Sequence, residues 1–343
     1  MKTVQIVGGG LAGLTLGLRL RQLEVPVELY EATSYPRHRV CGEYLSGRGS
    51  DFLESLVPWK ILVEAGARRS VGLRIFRNDR KLRNESLPRP ALCLSRHRLD
   101  HLLADRLTSA GGRIHLQTRQ TPVAQEGWVT ATGRQPAVQE EGWRWIGLKA
   151  HALDLSMGED LEMHLTPHGY VGLCAVEENR VNVCGLFRTR ETVPGLARNW
   201  RNWLGGEPGS ALHRRLQGVR WDEDSFSSVS AISLRPRRAA AQAGVRIGDA
   251  LTMIPPLTGN GMSMAVEGGF LSAEPLAEWA RGNLDWPTCC QRVARNLDHS
   301  FSARLRWARL LQQSILHPLG QPLLWHFSSV FPYFPQLLFR QTR

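Results

Sequence analysis

The chain has 343 residues, 42% hydrophobic and 22% charged, a balance that suits about two globular domains and argues against both a disordered chain and a small stapled fold. No run reaches the roughly 18 to 20 apolar residues of a membrane span, and Cys41, Cys93, Cys174, Cys184, Cys289 and Cys290 show no CxxC spacing, so neither a disulfide framework nor a metal site is expected. The net charge of +12 is nearly all arginine, but no basic run is interleaved with aromatics, so nucleic acid is not an expected partner.

The first predicted unit runs from Thr3 to Glu31. Val4, Ile6 and Val7 form a short strand, Gly8-Gly9-Gly10 a turn, and Leu11 to Leu23 a helix, before Pro26 restarts the chain as VELYE. Gly8, Gly10 and Gly13 make a GxGxxG turn of the dinucleotide-binding kind. Gly8 permits the tight turn, Gly10 lets the backbone approach a pyrophosphate, and Gly13 lets helix and strand pack. Glu31, ending the second strand, suits the ribose hydroxyls of an adenosine. A chain that enters a strand at Thr3 leaves no room for an export signal, so a cytoplasmic location is expected.

Residues 32 to 49 are rich in turn formers and read as an ordered loop over the nucleotide. A helix is predicted over 51 to 66, a pair of strands turning at Asn78-Asp79, and an amphipathic helix carrying Leu99, Leu102, Leu103 and Leu107 up to Gly111-Gly112. RIHLQT and WVTATG are strands. WRWIGLKAHALDL, LEMHLTP, GYVGLCAVE and RVNVCGLFRT form a strand-rich block, its last pair turning at Glu178-Asn179, and so a second, antiparallel sheet. Helices follow at 196–204 and 210–216, a strand at 225–234, a third glycine cluster leading into a long helix, and a final helix from Pro287 to Leu316. In WRWIGLKAHALDL, Trp145, Gly147, Lys149 and His151 share one face, and Ile146, Leu148, Ala150 and Ala152 the other. Lys149 and His151 are candidate proton donors to substrate or else a solvent-facing pair.

GGGLAG with Glu31, LSRHRLD, and GDALTMIPPLTGNGM together resemble the FAD-dependent oxidoreductases built like p-hydroxybenzoate hydroxylase. PRHRVCGEYLS and PLTGNGMSMAVEGG are most similar to the geranylgeranyl reductase branch. The resemblance implies an α/β fold, with a Rossmann-type, glutathione-reductase-like FAD-binding domain (1–70, 95–140 and 240–285) interleaved with an antiparallel substrate domain (71–94 and 141–239). A C-terminal helical segment, 286–343, completes it.

It further implies FAD contacts at Gly8, Gly10, Leu11, Ala12, Gly13, Glu31 and Ala32, and at Arg39, Cys41, Gly42 and Arg96. The third cluster adds Gly248, Asp249, Pro256, Gly259, Asn260, Gly261 and Met262. Asp249 suits a ribitol hydroxyl, and the helix opening at 259–261 suits the negative edge of a reduced flavin. Cys41 reads as a packing or a redox cysteine. Thr132-Gly133 stands where hydroxylases of the group have Asp-Gly, and Thr252 where they have a histidine.

The expected activity is two-electron reduction or desaturation of a hydrophobic isoprenoid- or polyketide-like substrate, free or carrier-tethered, with NAD(P)H a candidate electron donor. The alternative is hydroxylation through a flavin C4a-hydroperoxide. WRWIGL lacks the proline and spacing of a halogenase WxWxIP motif, which argues against halogenation. A nucleotide-binding regulatory protein is opposed by the intact glycines and Asp249. The apolar, proline-broken tail 317–343 is expected to pack on the body and wall the substrate cavity, with peripheral contact to an anionic membrane the alternative.

Overall fold

In a computed structural model the described residues are 1–77, 80–135, 142–158, 160–191, 195, 198–317 and 320, with backbone only at 80–85. The chain opens with β1 (Val4–Val7), α1 (Leu11–Gln22), β2 (Val27–Tyr30) and β3 (Tyr44–Leu45). It continues through α2 (Arg48–Leu56), α3 (Trp59–Glu64), β4 (Arg68–Arg77), β5 (Arg80–Cys93), α4 (Arg96–Ser109), β6 (Arg113–His115) and β7 (Trp128–Thr130). The strand-rich block is β8 (Arg144–Leu153), β9 (Leu161–Thr166), β10 (Gly169–Ala175), β11 (Arg180–Thr189), α5 (Trp200–Gly205), α6 (Ala211–Leu216) and β12 (Arg220–Val229). β13 (Val245–Arg246), α7 (Gly261–Arg281) and α8 (Trp286–Leu316) follow.

Five strands form a parallel sheet in the order β13-β7-β1-β2-β6. Parallel strands are joined by crossovers that bury both faces, and the strands are accordingly apolar: Val4, Ile6, Leu29, Val129 and Val245 are buried. α1 packs on both α4 and α7. Eight strands form the second sheet, β12-β8-β11-β10-β9-β4-β5-β3. The antiparallel sheet expected from sequence is present with one exception, a parallel pair between β4 and β9. These two are separated by the excursion of the chain through the first sheet, so no hairpin dictates their direction.

Local chemistry explains the other departures. The helix expected over 51–66 breaks into α2 and α3 because Pro58, at the cap of α3, cannot continue a helix from α2. The strand expected at 225–234 is displaced to β12. Glu178 and Asn179, each with φ of 55°, make the two-residue turn between β10 and β11. The turn at Asn78-Asp79 and nearly all of the tail lie outside the described residues.

The face of β8 carrying Ile146, Leu148, Ala150 and Ala152 packs beneath Trp200, Leu204, Leu212 and Leu216 of α5 and α6. The opposite face meets the loop over 38–43 through Gly147, Lys149 and His151. α8 closes the assembly and is joined to α7 by a buried ion pair, Arg304 to Glu267, at 2.7 and 3.2 Å. Glu267 also accepts from Ser263, whose hydroxyl accepts from the Gly49 N–H, so α2, α7 and α8 share one polar chain.

Removing one member of a buried pair strands the other charge in a low-dielectric interior. Arg304→Met is therefore expected to destabilise the fold by about 3–5 kcal/mol, read as a lower denaturation midpoint. The double change with Glu267→Leu should recover most of the loss. A single variant as stable as the parent would contradict this placement.

Candidate functional site

A cavity of about 990 Å³ lies between the two sheets and runs from Gly8 and Glu31 at one end to Leu311 and Ile315 of α8 at the other. At the first end three glycines do different work. Gly8 has φ of +110°, and a Cβ there would lie 2.3 Å from the Ala131 carbonyl oxygen. Gly13 presses α1 onto the turn, since its Cβ would lie 2.0 Å from the Gly8 carbonyl oxygen. Gly10 differs from both: a Cβ there would point into space, with only Arg96 Nη2 within reach at 3.8 Å. Leu11 and Ala12 continue the wall, at a helix N-terminus with no acidic residue in its first turn. Free N–H groups at such an end favour an anion.

Arg96 faces this space from the first residue of α4, where Ser95 caps the helix by accepting from the Arg98 N–H. Both of its donors to Asp100 measure 2.7 Å, so the guanidinium is fixed as a fork. Burial opposes its charge, but Asp100 holds it above the ordinary arginine range. Glu31, 4% exposed, accepts from the N–H groups of Gly9 and Thr33, the Thr33 hydroxyl and Arg37. Burial pushes its carboxyl up, yet Arg37 and these donors hold it net below the usual carboxylate range. A carboxylate offers about four lone-pair sites, so a ribose hydroxyl here displaces one of these donors. Ala32 is exposed and lies outside the cavity wall.

Further along, Gly248, Asp249, Pro256, Gly259, Gly261 and Met262 line the cavity. α7 begins there without an acidic first turn, and no atom lies within 4 Å of a Cβ built on Gly261. Asn260 is buried behind the wall. Gly259, at φ of +63°, leaves room for Tyr44, whose hydroxyl would lie 1.8 Å from a Cβ. That contact joins the CGEYLS and PLTGNG segments. Asp249 has its carboxyl pushed up to about 6 by burial, against the pull of Arg96, Arg134 and Arg237.

Arg39, Cys41 and Gly42 line the same cavity. Burial raises the Cys41 thiol despite the nearby Arg96 and the Glu43 N–H, which lies 3.5 Å from Sγ. It is therefore protonated at neutral pH, and it also packs against the main apolar core.

Lys149 and His151 are not a solvent-facing pair: both are 0% exposed, and neither reaches the cavity wall. The loop over 38–43 covers them and supplies Glu43, itself 0% exposed. Glu43 accepts from the Arg96 N–H at 3.0 Å and meets His151 Nε2 at 2.6 Å and Lys149 Nζ at 3.4 Å. His38 Nδ1 lies 3.1 Å from Lys149 Nζ, and His38 does line the cavity. His38, Glu43 and His151 have the spacing of metal ligands, but the Lys149 ammonium stands among them and supplies the positive charge. Alternation located the face of Lys149 and His151. It gave no sign of the covering loop, and neither Glu43 nor His38 was singled out by the sequence.

Residues 1–143 match a family model described as FAD binding domain. No curated protein matches the sequence. The flavin-dependent brominase Bmp2 has the same fold at 17% identity and a TM-score of 0.77, over 99% of this chain and 93% of that one. PqsL, a probable FAD-dependent monooxygenase from Pseudomonas aeruginosa, aligns at 15% identity and a TM-score of 0.70, over 93% of this chain and 98% of that one. The halogenase CmlS aligns at 17% and 0.70, over 89% of this chain and 63% of that one. The space that a Gly10 side chain would fill, flanked by Arg96 and a helix N-terminus, fits the pyrophosphate of FAD, which is the cofactor.

Gly10→Val is expected to abolish FAD retention with the fold intact, because its side chain enters only the cavity. Gly13→Val should instead lower stability, because its Cβ meets backbone. Flavin absorbance and thermal unfolding of the two purified variants check this. A yellow Gly10→Val protein would place the phosphates elsewhere.

Proposed function

We propose that the protein is an FAD-dependent oxidoreductase that reduces or desaturates carbon–carbon bonds in a hydrophobic isoprenoid- or polyketide-like substrate. The observation that carries this reading is the continuity of the cavity. Beyond Cys41 and Gly261, the space that begins at the phosphate cradle is walled by aliphatic side chains, among them Leu73, Leu161, Leu173, Ile232, Leu311 and Ile315. Such a wall takes an extended apolar chain and excludes water, which strengthens every charge interaction inside.

Bound FAD supplies the two-electron transfer. The protein's own residues bind and orient. Gly10, Arg96 and the α1 N-terminus take the pyrophosphate, and Glu31 the adenosine. Asp249 takes a ribitol hydroxyl, and the α7 N-terminus faces the edge of the ring where negative charge collects on reduction. Cys41, protonated and on the wall, would serve as a hydrogen-bond donor to a ring bound there. The arginine-rich surface suits an acidic carrier of the substrate, and a nicotinamide nucleotide is the proposed electron donor.

Hydroxylation is the second reading, favoured by the structural likeness to a probable FAD-dependent monooxygenase. The likeness to a brominase and a halogenase is one of fold, and WRWIGL still lacks the WxWxIP pattern. Among the described residues no helix is long and apolar enough to cross a membrane. A lipophilic substrate would reach the site from a carrier or a membrane surface.

The test reduces the FAD-loaded protein anaerobically with NADPH or NADH and offers a polyprenyl chain, with and without oxygen. Gain of two hydrogens by the chain without oxygen supports the proposal, as does loss of two hydrogens when the chain is offered instead to the holoprotein with its FAD left oxidised. Product only with oxygen, heavier by one oxygen atom, transfers the case to hydroxylation. Leu311→Arg should keep FAD while raising the KM for the chain at least tenfold, since burying one large aliphatic group is worth about 1.5–3 kcal/mol. An unchanged KM would move the substrate away from α8.

A further inference from the structure

Within 3.5 Å of one another in sequence of contact, His38, Lys149, Glu43 and His151 form a polar cluster beneath an apolar cavity. Two-electron chemistry on a carbon chain or on oxygen creates negative charge that has to be met by a proton, and His38 is the histidine among the described residues that line the cavity. We propose that His38 is a catalytic proton donor to the cavity and that Lys149, held by Glu43, recharges it. This rests on the flavin reading of the cavity.

The geometry carries the argument. His38 is half-buried and is the member of the cluster on the cavity wall; Lys149, Glu43 and His151 are sealed behind it. Lys149 Nζ, 3.1 Å from His38 Nδ1, donates to that nitrogen, which places the hydrogen of the neutral ring on Nε2. Glu43 keeps Lys149 in place at 3.4 Å. Glu43 is in turn fixed by the Arg96 N–H and by His151, whose backbone N–H donates to the Ser225 hydroxyl at 2.7 Å. His97 of α4 stacks on His38 with ring centroids 4.6 Å apart and fixes the ring plane.

The groups facing His38 are Lys149 and His151 from β8, His97 from α4 and Glu43 from its own loop. Burial first, then Lys149, His151 and His97, outweigh Glu43 and press His38 down to about 4. The ring is therefore neutral at pH 7 and donates through Nε2–H. As that N–H bond breaks and a bond from hydrogen to the anionic centre forms, a proton leaves Lys149 Nζ and bonds to His38 Nδ1. The ring is neutral before and after; Lys149 ends as an amine, and no electrons change hands within the cluster. Solvent returns the proton through His38, the half-exposed member, after product leaves.

Histidine ¹⁵N spectra of the FAD-loaded protein test the relay without turnover. His38 should show a bare Nδ1 and a protonated Nε2 from pH 5.5 to 8, and Lys149→Met should let it titrate nearer the ordinary value of about 6.5. A hydrogen on Nδ1, or titration near 6.5 in the parent, would overturn the proposal. A second arm reoxidises the photoreduced holoprotein with dissolved oxygen, which takes two electrons and two protons to hydrogen peroxide, one proton beyond that carried by the reduced cofactor. The parent rate should be flat between pH 6 and 8. In His38→Gln it should fall by about 10²-fold or more at pH 8, the usual worth of a positioned acid, and depend on pH. Identical pH profiles would also overturn the relay. A protein that takes up no FAD would sink the flavin reading and the relay with it, whereas one that binds FAD but carries the His38 hydrogen on Nδ1 would sink the relay alone.

Discussion

The arrangement depends on one buried carboxylate. Glu43, at the tip of the loop between the first βαβ unit and α2, adopts φ of 57°, a left-handed conformation that a side chain disfavours. It is held there because its oxygens meet His151 and Lys149 of the second sheet and the first N–H of α4. One charge thus joins the loop, the second sheet and α4. Burial raises its carboxyl, but the His151 hydrogen bond and the Lys149 charge hold it below the ordinary range, so it stays ionised. Losing the Lys149 charge would strand the carboxylate in the interior and cost on the order of 3–5 kcal/mol.

That constraint sets the form of the site. Because Glu43 pulls the loop down on β8, Cys41 and Gly42 are presented to the cavity, and Tyr44 is set against the turn that opens α7. Arg96 is shared between the two ends: its backbone donates to Glu43, while its side chain, gripped by Asp100, faces the phosphate space. The two ends of the cavity are therefore coupled through adjacent atoms of the same few residues. Arg39, Arg96 and Asp249 line one end, and the wall beyond them is largely apolar, with Glu162, Tyr170, Ser227 and Ser228 among its polar members.

Much of the cradle was legible because its signals are local. A strand, a GxGxxG turn and a helix are neighbours in sequence, and Gly8 and Gly13 sit where the packing of that unit requires no side chain. Alternation in WRWIGLKAHALDL sorted its two faces, and the face of Ile146, Leu148, Ala150 and Ala152 is the one that packs under α5 and α6. What escaped was long-range. Glu43 and His151 are 108 residues apart, and nothing in either segment names the other. The parallel pairing of β4 with β9 and the division of the helix at Pro58 likewise follow from tertiary packing and one proline rather than from periodicity. The saturation of Glu31 by Thr33, Gly9 and Arg37 is a property of a folded turn, invisible in a motif.

The central claim is that one cavity holds FAD extended from Glu31 to the N-terminus of α7, with its ring opening onto the aliphatic wall. A crystal structure of the FAD-loaded protein tests this most directly. The account predicts the adenosine at Glu31, the pyrophosphate over Gly10 and Arg96, and the flavin ring between Cys41 and Gly261. A flavin bound with its ring away from the aliphatic half of the cavity would contradict it.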